Sequence, residues 1–153
     1  MGPAGMTGYG GPVLLDMSAW ARVLLDRVEA GDRARFEEAV RADEILTCEP
    51  FLLEALYSAR DGGEYGRLEE RLGALPGVAG GPSPLPLALD TQAELARSRS
   101  VSHRVKPVDL LLAAIAHEHA LGILHYDRDY DTISEHTRLR VRSVWIARRG
   151  SLA

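Results

Sequence analysis

Apolar residues along the chain come in short bursts, and between the bursts the apolar spacing is helical. Val13, Leu14 and Leu15 form one burst that ends at Asp16, after which residues 17–25 place Trp20, Val23 and Leu24 on one helical face. This predicts a strand, a turn and a helix, with Ser18 as the N-cap. Residues 32–42 read as a mostly polar helix with Phe36, Ala39 and Val40 turned inward, and residues 44–48 as a second short strand. Pro50 opens a helix that runs through Tyr57, since proline suits a first helical turn. Gly62 and Gly63 break it, and another helix covers residues 64–75.

Glycine and proline crowd residues 76–86, and a third strand is expected at 85–87. Residues 91–99 are predicted helical and 98–106 a polar loop, after which Pro107 opens the most apolar helix of the chain. Strands follow at 122–126 and at 141–146, the latter on β-branched and aromatic residues. Short apolar strands alternating with helices predict an α/β fold: a three-layer α/β/α sandwich around a central parallel sheet of four or five strands.

That topology has a chemical consequence. All strands of a parallel sheet end on one edge, the helices that run back begin there, and ligands bind along it. Asp16 directly follows the first strand, and Asp127 directly follows the strand at 122–126, with Asp129 two residues beyond. Asp109 lies in the first turn of the helix leading into that strand, and Glu54 lies about one turn into the helix after the second strand. Carboxylates gathered on one rim raise each other's pKa unless a cation or a basic side chain compensates. Within these motifs only Arg128 is interleaved. An all-oxygen set selects a hard divalent cation, Mg²⁺ or Mn²⁺, which activates water and balances charge on a phosphoryl group.

Local roles compete with this reading. Asp16 alone suits a turn, and Asp109 alone suits the positive end of a helix; their shared rim favours the metal. Glu49 competes with Glu54, but it lies earlier in the helix, where a capping or surface role fits. The run Asp127, Asp129, Asp131 fails as a calcium loop, because Thr132 and Arg138 stand where glycine and glutamate are required. His117, Glu118 and His119 fail as a zinc-protease motif, because Leu121 replaces the second histidine. Both histidines read as helix-surface residues.

Composition narrows the setting. A chain of 153 residues with 46% hydrophobic content suits one domain, placed at residues 12–153. Residues 1–11 are glycine-rich and lack a signal-peptide pattern, so a flexible extension outside the fold is expected. The single Cys48 excludes an internal disulfide, and the longest apolar run, residues 110–116, falls well short of the roughly 20 residues that span a membrane. A cytoplasmic protein is expected. The net charge of −4 argues against nucleic acid, yet Arg138, Arg140, Arg142, Arg148 and Arg149 load the C-terminal end with positive charge.

The segments LLDMSAW, CEPFLLEALYSAR, KPVDLLLAAIAHEHALGILHYDRDYDTI and VWIARRGSL resemble the PIN-domain ribonucleases, specifically the VapC toxins of toxin–antitoxin pairs, from Pro12 to the C-terminus. The resemblance implies that Asp16, Glu54, Asp109 and Asp127 are catalytic metal-binding acids, that Asp129 stands close to a second metal position, and that Ser18 hydrogen-bonds within the acidic pocket. It further implies a homodimer that cleaves structured RNA, tRNA or rRNA, and a VapB-like antitoxin whose tail presents a basic side chain to the acids. Tyr130 stands where the family usually has Phe, and is expected to pack like it. His125 stands where Thr is common, leaving contact with metal, with RNA or with the strand edge open. Two readings of other classes are a catalytically silent RNA- or protein-binding module, disfavoured by the complete acid set, and a metal-dependent phosphatase, disfavoured by the absence of a D-x-D-x-T motif at Asp16.

Overall fold

In the computed structural model, residues 8–80 and 83–152 are described. β1 (Val13–Leu15) and β3 (Gly122–His125) have no exposed side chain, which is why both read as apolar runs and not as alternation, with His125 alone polar at the end of β3. β1 pairs in parallel with β2 (Ile45–Leu46) on one side and with β3 on the other, and β4 (Arg142–Trp145) extends β3. The order is β2-β1-β3-β4. Four strands are therefore present among the described residues, within the expected range.

Between β1 and β2 run α1 (Met17–Leu24) and α2 (Ala30–Arg41); between β2 and β3 run α3 (Glu49–Tyr57), α4 (Gly62–Gly73), α5 (Pro84–Arg97) and α6 (Pro107–Glu118); α7 (Asp129–His136) links β3 to β4. The chain steps from β1 out to β2, then returns past β1 to reach β3. Right-handed crossovers then place α1 and α2 on one face and the later helices on the other, giving three layers. β1 and β3 flank the reversal of strand order, where the edge opens into a crevice. α6 buries Leu110, Leu112 and Ile115 together with Ala113, Ala114 and Ala116, and the alanines let its backbone approach its neighbours closely.

Several points of the sequence reading need correction or completion: Gly62 and Gly63, expected to break a helix, are the first two residues of α4, which Asp61 caps. Residues 85–87 belong to α5: Pro84 starts the helix, and its buried positions Pro84, Ala88, Thr91 and Leu95 follow helical spacing. Residues 81–82 of that glycine–proline stretch lie outside the described residues. The N-cap of α1 is Asp16 and not Ser18, since the extended Asp16 backbone lets its carboxylate accept from the Ser18 N–H at 2.9 Å. α7 was not anticipated, because only Tyr130 and Ile133 of its eight residues are buried. Tyr9 lies in the stretch expected to stay outside the fold, yet its ring is buried in the core, so packing begins before Pro12; residues 1–7 of that stretch lie outside the described residues. No helix among the described residues is long and apolar enough to cross a membrane.

Candidate metal centre

The ends of β1 and β3 are tied by backbone and side chain. Asp16 N–H donates to the Leu124 carbonyl at 3.0 Å, which continues the ladder to the last residue before α1. The Ser18 hydroxyl accepts from the Tyr126 N–H at 2.8 Å and donates to Asp16 Oδ2. With the Ser18 N–H on the same oxygen, Asp16 is held from one side by its own helix start. Ser18 thus hydrogen-bonds to Asp16 and to the backbone at Tyr126.

Asp109, in the first turn of α6, is buried among these groups. Burial, then the Asp16 and Asp127 charges, push its carboxyl up to about 7, against the opposing pull of Lys106 and a bond from Tyr130. Its Oδ2 is buried without a hydrogen-bond partner among the described residues. One carboxylate oxygen from each of Asp109, Asp127 and Asp129 lies within 4.8 Å of the others. Oxygens bound to one Mg²⁺ at about 2.1 Å are at most about 4.2 Å apart, so a slight contraction would let these three share an ion. An orphaned buried oxygen and an all-carboxylate donor set fit a hard divalent cation.

Asp129 is raised chiefly by burial and by Asp127, and its N–H donates to Asp127 Oδ1 at 3.0 Å. Glu54, half-buried on α3, is raised by burial and by the Asp16 charge, and it is not one of the close trio. Glu49 is exposed in the first turn of α3, as its competing role required.

Three participants escaped the sequence reading. Lys106 precedes α6 and is exposed, and its charge lowers the pKa of Glu54, Asp109 and Asp129. The K-P-V-D spacing, three residues before Asp109 at a helix start, was the available signal. The Tyr130 hydroxyl donates to Asp16 Oδ1 at 2.6 Å and lies 3.2 Å from Asp109 Oδ1, so this residue does more than pack. Asp131 closes a relay: Asp127 N–H donates to His125 Nδ1 at 3.0 Å, which puts the imidazole proton on Nε2, facing Ser143 Oγ at 2.6 Å. Ser143 in turn donates to Asp131 Oδ1 at 2.6 Å.

Asp131 also accepts from Trp145 Nε1 at 3.1 Å and pairs with Arg149 at 3.8 Å, so its carboxylate is committed to β4 and not to the rim. His125 is fully buried, its pKa pushed down to about 4 by burial against the pull of Asp131, Asp16 and Asp127. Both ring nitrogens of His125 are thus occupied within the protein, by the Asp127 N–H and by Ser143 of β4. Trp20 is buried in the core, whereas Trp145 is half-buried, edge-on to Tyr126 and His125. Of the C-terminal arginines, Arg142 bonds the Pro12 carbonyl at 3.1 Å, away from the acids.

The chain is similar to known proteins in sequence and in fold. The PIN domain family matches residues 13–136. Ribonuclease VapC18 of Mycobacterium tuberculosis is 34% identical over 139 residues, covering 90% of this chain and 97% of the relative. Ribonuclease VapC51 of the same organism is 35% identical over 139 residues, covering 91% and 96%. Among solved structures, DNA-bound VapBC from Salmonella typhimurium superposes with a TM-score of 0.68 at 17% identity, covering 89% of this chain and 98% of that one, a likeness of fold. With the acids assembled where β1 and β3 end, and with relatives of this extent, the chain belongs to the PIN-domain family, among its VapC ribonucleases.

Proposed function

We propose that this protein is a Mg²⁺- or Mn²⁺-dependent endoribonuclease, the toxin of a toxin–antitoxin pair, acting on structured RNA such as tRNA or rRNA. The observation that carries the reading is the buried, unpartnered Asp109 Oδ2 beside Asp127 and Asp129, in a chain of the VapC ribonuclease family. Asp16, Glu54, Asp109, Asp127 and Asp129 would hold the cation, the last three with carboxylate oxygens already within 4.8 Å of one another. When bound, the cation supplies a low-pKa water and charge balance on the phosphodiester.

The chain's own side chains do the positioning. Ser18 and Tyr130 fix the rotation of Asp16 through both of its oxygens. The His125 relay holds the backbone at Asp127, and Lys106 moderates the repulsion among the acids and offers a phosphate contact. As partners we propose a second copy of the chain and a VapB-like antitoxin whose basic side chain enters the acidic crevice.

Incubation of purified protein with a tRNA pool and with a generic phosphate ester tests this directly. Cleavage of RNA that stops in EDTA and returns with Mn²⁺ is the expected result, and Asp16→Ala should abolish it. Undiminished cleavage in excess EDTA would sink the metal mechanism. Hydrolysis of the ester alone would favour a phosphatase, and RNA binding without cleavage a silent module. Reversing the charge of the antitoxin's inserted basic residue should release the RNase from inhibition; inhibition left unchanged would remove the pocket contact.

A further inference from the structure

We propose that Tyr130 is a positioning residue of the cation site, its hydroxyl setting the orientation of the Asp16 carboxylate beside Asp109 for a divalent ion. The inference deepens the metal-centre reading above and rests on it.

Tyr130 comes from the first turn of α7, on the far side of the crevice from β1. Its ring is 1% exposed and lies against His125 with centroids 4.9 Å apart, so the phenol cannot swing toward solvent. The hydroxyl therefore points into the acids by construction, and its hydrogen-bond partners are their two Oδ1 atoms, at 2.6 and 3.2 Å. A phenol brings one proton. The short bond to Asp16 takes it, and the longer approach to Asp109 leaves that carboxylate oriented with Oδ1 toward the phenol and Oδ2 unpartnered.

Neighbouring carboxylates without a cation turn away from one another. Here Asp16 is unable to turn, because Ser18 holds Oδ2 and Tyr130 holds Oδ1. Each carboxylate oxygen has two lone pairs, so accepting one hydrogen bond leaves a site for a cation. The hydroxyl is thus an outer partner that fixes ligands in advance, the kind of contact whose loss weakens metal binding about 10–100-fold. A phenylalanine ring would occupy the same volume and supply none of this.

Tyr130→Phe in the full chain separates the two roles. Titration calorimetry with Mn²⁺ should show the variant binding about tenfold or more weakly than wild type, while a thermal melt in EDTA remains a single cooperative transition, which establishes that the variant is folded. Mn²⁺ affinities equal within a factor of about two, against the outer-partner expectation, would reduce Tyr130 to a packing residue and overturn the inference while leaving the metal centre intact. A wild type that binds no Mn²⁺ would overturn both together.

Discussion

Metal-free Asp109→Asn protein should melt above the wild type at pH 8 while losing RNA cleavage. In the wild type the Asp109 carboxyl is pushed up to about 7 from an ordinary value of 3.8, so at pH 8 the fold holds a buried charge that the unfolded chain carries at no cost. Three units correspond to an upper bound of about 4 kcal/mol, at 1.36 kcal/mol per unit. Asparagine has the same shape and no charge, and its amide N–H can donate to the Tyr130 oxygen, whose own proton goes to Asp16. Even a quarter of that bound, regained, would raise Tm by roughly 2–4 °C in a domain of this size.

Mn²⁺ should reverse the order. A ligand that binds only the native state stabilises it by mass action, and the variant has lost a carboxylate from the trio. Cleavage should fall by at least the ~100–1000-fold that one preorganised electrostatic group contributes elsewhere. Thermal melts of both proteins in EDTA and in millimolar Mn²⁺, with RNase assays alongside, give the result. A variant strongly destabilised in EDTA, next to a wild type indifferent to Mn²⁺, would make Asp109 a structural charge at a helix start and remove it from any metal centre.

The acids were legible because of where strands end. Buried parallel strands leave apolar runs, so the sequence alone assigns Asp16 after Val13–Leu15 and Asp127 after the β3 run to one edge. Residues 85–87 misled because a short apolar run fits a strand or a helix equally, and only the burial of Ala88, Thr91 and Leu95 in register with Pro84 decides. The capping assignment slipped by two residues because Asp and Ser both cap well, and backbone dihedrals choose between them. Tyr9 sits among glycines, where no periodicity can announce that a ring is buried. The Tyr130 hydroxyl bonds a carboxylate 114 residues away, and the His125 relay runs through β4; neither contact leaves a local pattern in the sequence.

That relay yields the second large effect, visible only once Asp109 is neutral. His125 titrates at about 4 in the fold against an ordinary 6.5, so as pH falls through this range the unfolded chain takes up a proton that the native ring refuses. Stability from His125 is complete above about 6.5 and is lost toward pH 4. Asp109 works in the opposite sense: its raised pKa means that the fold binds the extra proton between 3.8 and about 7, so its contribution grows as pH falls. Between pH 7 and pH 5 the two nearly cancel in the metal-free wild type. Asp109→Asn removes one side of the balance, and the variant should lose about 2 kcal/mol on going from pH 7 to pH 5, at 1.36 kcal/mol per unit below 6.5. Glu54 and Asp129 lean the same way as Asp109 and remain in place, so the reference is the double variant Asp109→Asn, His125→Gln, which keeps an amide donor for Ser143 and cannot be protonated. Thermal melts in EDTA at pH 5 and pH 7 should show a fall of roughly 4–8 °C for Asp109→Asn relative to this double variant. Equal shifts in the two proteins would mean that His125 accepts a proton in the native state, and the Nδ1 bond from Asp127 would then not be what holds the end of β3.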